Sequence, residues 1–229
     1  MNVLVACESS QTVCKAFRDK GHNAFSCDII PTYGGLPQYH IQDDVLKLLN
    51  GNIDFYTEDG QYYHIIGNWD LIIAHPPCTY LSNVATKFHS LKYSSLTDIS
   101  IRTMLRISAQ QFFMELVNAK CDKIAIENPV GIMSTVYRKP DQIIHPYQFA
   151  KDVNDKENYV TKRTCLWLKG LNPLITNYIV RDESKLFDLT KNGNKINWYD
   201  KVSVKDRSKI RSKTFPGIAK AMAEQWGNI

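Results

Sequence analysis

The sequence predicts an α/β domain with a mostly parallel sheet and helices on both faces. NVLVAC (2–7) is a short apolar run suited to a strand buried on both faces, and SSQTVCKAFRDKG follows it with Val13, Ala16 and Phe17 at helical spacing. The plan repeats over 22–49. LIIAH (71–75) and KIAIENPVG (123–131) are further apolar runs that end in polar residues and proline. Strands alternating with helical segments argue for parallel pairing through crossover helices.

Each element has a local chemical cause. Gly21 stops the first helix. HNAFSCDII gives a second strand ending at Asp28, and YHIQDDVLKLL gives a short strand and then a helix capped by Asp43 or Asp44. Residues 54–67, DFYTEDGQYYHIIG, place an Asp-Gly turn between aromatic-rich flanks and read as an inserted hairpin. Residues 79–97 read as a polar, mobile loop, and ISIRTMLRISAQQFFMELVNAK as a long amphipathic helix. TCLWL (164–168) is another strand, and SKTFPGIAKAMAEQWG closes the chain with a helix started by Pro216.

A chain of 229 residues, 44% hydrophobic, supports one substantial core. No apolar run reaches membrane-spanning length, and MNVLVACESS turns polar too early for a signal peptide, so a cytoplasmic protein is expected. The six cysteines are scattered without Cys-x-x-Cys spacing, which favours free thiols. His75 and Cys78 have zinc-ligand spacing but no second close pair, so no metal is expected. Residues 180–213 hold ten Lys or Arg against five Asp or Glu, while the rest of the chain is balanced. A localised basic segment is the footprint of a phosphate-bearing partner, and equally of a solvated surface stretch.

The unusual residues fall at strand ends: Cys7 and Glu8, Asp28, Asp44, His75 to Cys78, and Glu127 with Asn128. In open α/β sheets ligands sit at the carboxyl ends of the strands. Taken singly, Asp28 and Asp44 also read as caps, Cys7 as core and Glu127 as a surface acid. Taken together they point to one site. ACESSQ lacks the glycine fingerprint that cradles phosphates, and Asp28 is placed to accept ribose hydroxyls. An adenosyl ligand without phosphates, such as S-adenosylmethionine, fits better than NAD or ATP, with Asp44 near its adenine. Cys78 follows two prolines that stiffen the turn, and a thiol on such a turn is a candidate nucleophile.

PPC (76–78), ENPV (127–130) and the strand-end Asp28 together resemble the DNA cytosine-5 methyltransferases. The similarity runs from residue 2 to the terminal helix. It is nearest to short phage-type members, through HPPCTYLS, QIIHPYQFA, TKRTCLWLKGL and RSKTFPGIAKAMAEQWG. It implies a Rossmann-like S-adenosylmethionine-dependent fold. Residues 1–170 would be the catalytic core, 171–210 a reduced, basic target-recognition-like segment, and 211–229 a helix returning to the core.

The resemblance implies that Cys78 attacks carbon 6 of cytosine while Glu127 holds or protonates N3, with Arg163 of TKRT near the base and its phosphate. Cys7, Glu8, Ser9, Asp28, Ile29, Asp44, Val45 and Pro77 would hold S-adenosylmethionine. Lys205, Arg207, Lys209 and Arg211 would contact DNA, and 79–96 would be a closing loop. The sequence departs from the family in ACESSQ, in Pro129 and in the short stretch between LWLKGL and the last helix. A duplex target base would have to be flipped out. The short recognition segment leaves open a free or single-stranded pyrimidine nucleotide as substrate. A non-catalytic nucleic-acid-binding relative is a third reading.

Overall fold

The computed structural model describes residues 1–179, 181–201, 203 and 209–228. Along the chain run β1 (Asn2–Ala6), α1 (Thr12–Asp19), β2 (Asn23–Asp28), β3 (His40–Gln42), β4 (Ile53–Tyr56), β5 (Tyr62–Ile65) and β6 (Leu71–Ala74). Then come α2 (Asn83–Thr86), α3 (Leu96–Val117), β7 (Ile124–Pro129), α4 (Met133–Val136), β8 (Gln142–Ile144), β9 (Thr164–Lys169), α5 (Glu183–Leu186) and α6 (Pro216–Trp226). A seven-stranded sheet in the order β3-β2-β1-β6-β7-β9-β8 forms the centre. The pairs β1·β2, β2·β3, β1·β6 and β6·β7 are parallel, whereas β9 is antiparallel to both β7 and β8. The chain is thus α/β with a mostly parallel sheet, and its order departs from the dinucleotide-binding order by the reversed strand set between β7 and β8.

Alternation along the strands divides the core into two layers. Val3, Val5, Leu71, Ile73 and Ala125 face one side, where they meet Val13 and Phe17 of α1 and Ile218, Met222 and Trp226 of α6. Leu4, Ala6, Ile72, Ala74 and Ile126 face the other, against Phe113 and Leu116 of α3. Helices therefore cover both faces, as the sequence predicts. Fully buried Met222 and Phe17 each contribute roughly 1.5–3 kcal/mol of transfer free energy. The hairpin β4–β5 packs on the α3 side, where Phe55 and Tyr63 crowd the edge of Phe25 at 5.0 and 4.7 Å between ring centroids.

Several elements differ from their sequence reading. The segment after Asp44 is a 3-10 turn, Val45–Leu48, that Asp44 caps by accepting from the Leu46 N–H at 3.0 Å. The stretch 79–97 is not a continuous loop: it holds α2, a 3-10 turn and the first residues of α3, and the Arg106 Nε donates to the Tyr80 carbonyl at 3.1 Å. α3 starts earlier than expected because Ser95 and Asp98 form a capping box. It is amphipathic only in its second half, since Leu96, Ile101, Met104 and Leu105 are exposed. β8 is a strand that the sequence reading leaves unassigned. Among the described residues no helix is long and apolar enough to cross a membrane.

Candidate functional site

The chain leaves β1 for β2 in one direction across the sheet and crosses from β6 to β7 in the other, so the switch point lies between β1 and β6. Outside the carboxyl ends there opens a cavity of about 890 Å³. Cys7, Glu8 and Ser9 line its centre, Asp28, Ile29, Asp44 and Val45 the β2–β3 side, and Pro77 and Cys78 the β6 side. Strand-end placement thus brings these residues to one space. Arg211 and Lys162 also line it. Lys209 stands back from it, its Nζ 4.1 Å from the ring centroid of Tyr33, which is itself a lining residue. Lys205 and Arg207 lie outside the described residues.

At the centre, Glu8 explains why no glycine-rich loop is needed. Its buried carboxylate accepts from the backbone N–H of Val13 at 2.7 Å and of Cys14 at 3.1 Å, so it occupies the N-terminus of α1, where a phosphate binds in dinucleotide folds. Cys7 and Gln11 on either side adopt left-handed backbone, φ 59 and 56°, which curls the loop over the helix end. Gln11 in turn clamps the next loop by accepting from the Leu36 N–H and donating to the Leu36 carbonyl. A Cβ on Gly34 would lie 2.5 Å from the Ser10 carbonyl oxygen, so only glycine fits there. Burial pushes the Glu8 carboxyl above the usual carboxylate range, which the charge of His75 and the two backbone donors only partly oppose. Glu8→Ala strands two buried donors. It is expected to lower stability by about 2–4 kcal/mol in urea unfolding, with Glu8→Gln falling between it and the wild type. An unchanged midpoint would mean that α1 does not depend on this carboxylate.

At the β2–β3 end, Asp28 is half-buried, and desolvation raises its carboxyl. Beside it Ile29 is 73% exposed, an apolar surface standing in a site of carboxylates. An adenine face and ribose hydroxyls could be held by such a set. Among the described residues no group of three or more His, Cys, Asp or Glu is placed to hold a metal.

Cys78 is exposed, while the other cysteines are buried or half-buried. Desolvation drives the thiols of Cys7 and Cys14 far above their ordinary value and that of Cys27 up to about 12, so these three are inert at neutral pH. For Cys78, desolvation by the cavity wall holds the thiol above its ordinary value, and Lys162 and Arg211 offset only part of that rise. The turn that carries it is pinned at several points. The Cys78 carbonyl accepts from the N–H groups of Leu81 and Ser82 at 3.1 and 3.0 Å. Asn128 Nδ2 donates to the Pro76 carbonyl at 2.7 Å. Ser82 bridges Gly131, and a Cβ on Gly131 would collide with the Leu81 carbonyl oxygen. The glycine in ENPVG is therefore the contact surface for the thiol's turn. Gly131→Ala is expected to lose about 1–3 kcal/mol of stability, read from the urea midpoint, because the turn must move away.

Glu127, on β7, does not itself line the cavity and meets its wall through His75. His75 Nδ1 lies 3.0 Å from Glu127 Oε2, with side chains only 10% and 12% exposed. Thr214 Oγ1 donates to the same oxygen at 3.3 Å. Burial alone would raise Glu127, yet the hydrogen bond and charge of His75, with Lys162 and Thr214, hold it below the usual range. Arg163 is exposed, and its charge bears on His145 and Cys165. Its neighbour Lys162 instead lines the cavity with Arg211, fixed by donating to the Arg211 carbonyl at 2.9 Å. Lys162, Thr214 and the His75 contact escape sequence reasoning, because residues outside strands have no register to say which neighbour turns inward.

Compared with known proteins, the chain matches no protein-family model and no curated protein sequence, so what the cavity does must be read from its own geometry.

Proposed function

We propose that the chain transfers a methyl group from S-adenosylmethionine to carbon 5 of cytosine in DNA. One observation carries the reading: an exposed thiol on a rigid turn, Cys78, lines a cavity together with His75, whose ring holds the buried acid Glu127 behind that wall, while the far end of the cavity suits an adenosyl group. The residues fit that cofactor. Glu8 fills the position of a phosphate, Asp28 can accept from ribose hydroxyls, and Ile29 and Val45 offer apolar surface to adenine. When bound, the cofactor supplies an electrophilic methyl group at the centre of the cavity.

The chain's own residues would prepare the pyrimidine. Lys162 and Arg211 oppose the desolvation that raises the Cys78 thiol, and the thiolate adds to carbon 6 and makes carbon 5 nucleophilic. Glu127 holds N3 through its oxygen not held by His75 and Thr214, so that a proton passed through it neutralises the charge that reaches the ring. Loss of the carbon 5 proton then returns the electron pair that expels the sulfur from carbon 6.

The segment between β9 and α6 favours a second reading. Among its described residues, secondary structure amounts to a four-residue α5, two-residue strands, a 3-10 turn and a helical stretch at 209–212. Leu174 and Tyr199 from this segment pack into the α1–α6 layer of the core. Little of it is left to grip a long duplex site, which suits a single-stranded or free pyrimidine nucleotide whose phosphate meets Lys162 and Arg211. Incubation with methyl-tritiated S-adenosylmethionine and duplex DNA, single-stranded DNA or dCMP separates the readings. Label in duplex DNA is expected. Label in dCMP alone would overturn DNA as substrate, and no label in any would overturn methyl transfer.

A further inference from the structure

We propose that His75 is a positioning residue that stores the proton Glu127 delivers to the pyrimidine, the two side chains sharing one proton across the Nδ1–Oε2 hydrogen bond. This rests on the methyltransferase reading. The geometry is specific. His75 comes directly after β6, and its backbone N–H donates to the Ala6 carbonyl at 2.9 Å, so the ring is fixed to the centre of the sheet. Its Nδ1 meets Glu127 Oε2 at 3.0 Å. Its Nε2 is enclosed and has no hydrogen-bond partner among the described residues. A histidine kept for structure commonly uses the second nitrogen to fix its tautomer. Here the only bonded nitrogen points at the acid.

The surroundings favour a stored proton. Glu8 and Glu127 are the carboxylates whose charges act on the ring, from the β1 loop and from β7, and Lys162 opposes them from beside β9. Burial alone would lower the imidazole, but the Glu127 bond and the two negative charges outweigh it and hold the ring above the ordinary histidine range. Thr214 shares Oε2 with His75, whereas Oε1 receives no hydrogen bond from a described residue. One oxygen thus faces the proton store and the other is left for the ring of a substrate.

The proton balance closes. As the Cys78 sulfur bonds to carbon 6, the electron pair displaced from the carbon 5–carbon 6 double bond enters the ring. Glu127 takes the shared proton from His75 Nδ1 and passes it to N3. After the methyl group has joined carbon 5, the carbon 5 hydrogen leaves as a proton to solvent and its electron pair reforms the double bond. The carbon 6–sulfur bond breaks with its pair returning to sulfur, and N3 gives its proton back through Glu127 to His75.

The test uses the full chain labelled with ¹⁵N-histidine, following the ring nitrogens by two-bond NMR correlation as pH is varied. His75 is expected to stay doubly protonated above about 6.5, the ordinary midpoint. Glu127→Gln should lower that midpoint by about one unit or more, and Glu8→Gln by less. A neutral ring at the ordinary midpoint, or one unmoved by Glu127→Gln, overturns the proposal. Assignment comes from His75→Asn, or from single variants of the other five histidines if that chain does not fold.

A second arm reads single-turnover methylation against pH. Asparagine keeps an N–H towards Oε2 but stores no proton, so His75→Asn should lower the maximal rate at least about tenfold and move the pH of the maximum downward. An unmoved maximum overturns the proposal. A wild-type ring that titrates as expected, in a chain that methylates no cytosine substrate, upholds the proton pair and overturns the methyltransferase reading.

Discussion

On the proposed methyl-transfer function, Cys78→Ala is expected to reduce methyl transfer by on the order of 10⁴-fold or more and to abolish the covalent adduct with DNA containing 5-fluorocytosine. Removal of a nucleophile has this size because no other thiol can substitute. Cys7 and Cys27 line the same cavity, but burial keeps both protonated. The fold should hardly notice. The side chain is exposed, and the turn is pinned through the Cys78 carbonyl and through Pro76, which alanine leaves intact. Stability within about 0.5 kcal/mol of wild type is therefore expected. Cofactor binding should persist as well. Denatured-gel trapping with the fluorinated DNA, run beside a urea melt, reads both at once. A variant that still forms the adduct would remove Cys78 from the chemistry, and one that unfolds would make the residue structural.

The parts of the fold that were legible are those in which one short segment carries its own signal. β1, β6 and β7 are continuous apolar runs because both their faces are covered, and alternation sends Val3 and Leu4 to opposite layers. Asp-Gly at 59–60 marks the hairpin, and Pro216 takes the first turn of α6, where a missing N–H is harmless. β8 was illegible because Gln142–Ile144 is three residues long and becomes a strand only by pairing with β9. The reversed direction of β9 is likewise a tertiary fact. The capping box of Ser95 and Asp98 was present in the sequence as Ser-x-x-Asp, and reading it would have placed the start of α3 within 79–97.

The site divides the same way. Strand ends could be located, so residues as far apart in sequence as Cys7, Asp28 and Cys78 meet in one cavity. What sequence could not supply is which side chain answers which. Glu8 reads as a polar residue after a strand, and only the fold shows it bonded to the first turn of α1. His75 reads as half of a metal-ligand spacing, and only the adjacency of β6 and β7 brings its ring to Glu127. Lys162 and Arg163 are interchangeable on paper, yet one lines the cavity and the other is exposed away from its wall.

Glu127→Gln is the second large effect, and it should fall on the rate rather than on binding. A glutamine amide presents a donor and an acceptor, so it can still meet N3 and the amino group of cytosine. It cannot move a proton at neutral pH. A loss in kcat of about 10² to 10⁴-fold is expected with KM held within a few-fold, the pattern of an interaction made in the transition state. Stability responds separately. In the wild type, Glu127 ionises below the usual carboxylate range and His75 above the usual histidine range. The Glu127 contribution is present above its unfolded pKa and fades as pH falls through its lowered folded value. The His75 contribution is full below its unfolded pKa and fades as pH rises through its raised folded value. The pair therefore stabilises the fold most between those limits, and Glu127→Gln should flatten the stability profile there while leaving the alkaline end little changed. Steady-state kinetics with cytosine DNA and urea melts across pH measure the two effects independently. A rise in KM without a fall in kcat would make Glu127 a binding group and remove it from proton transfer.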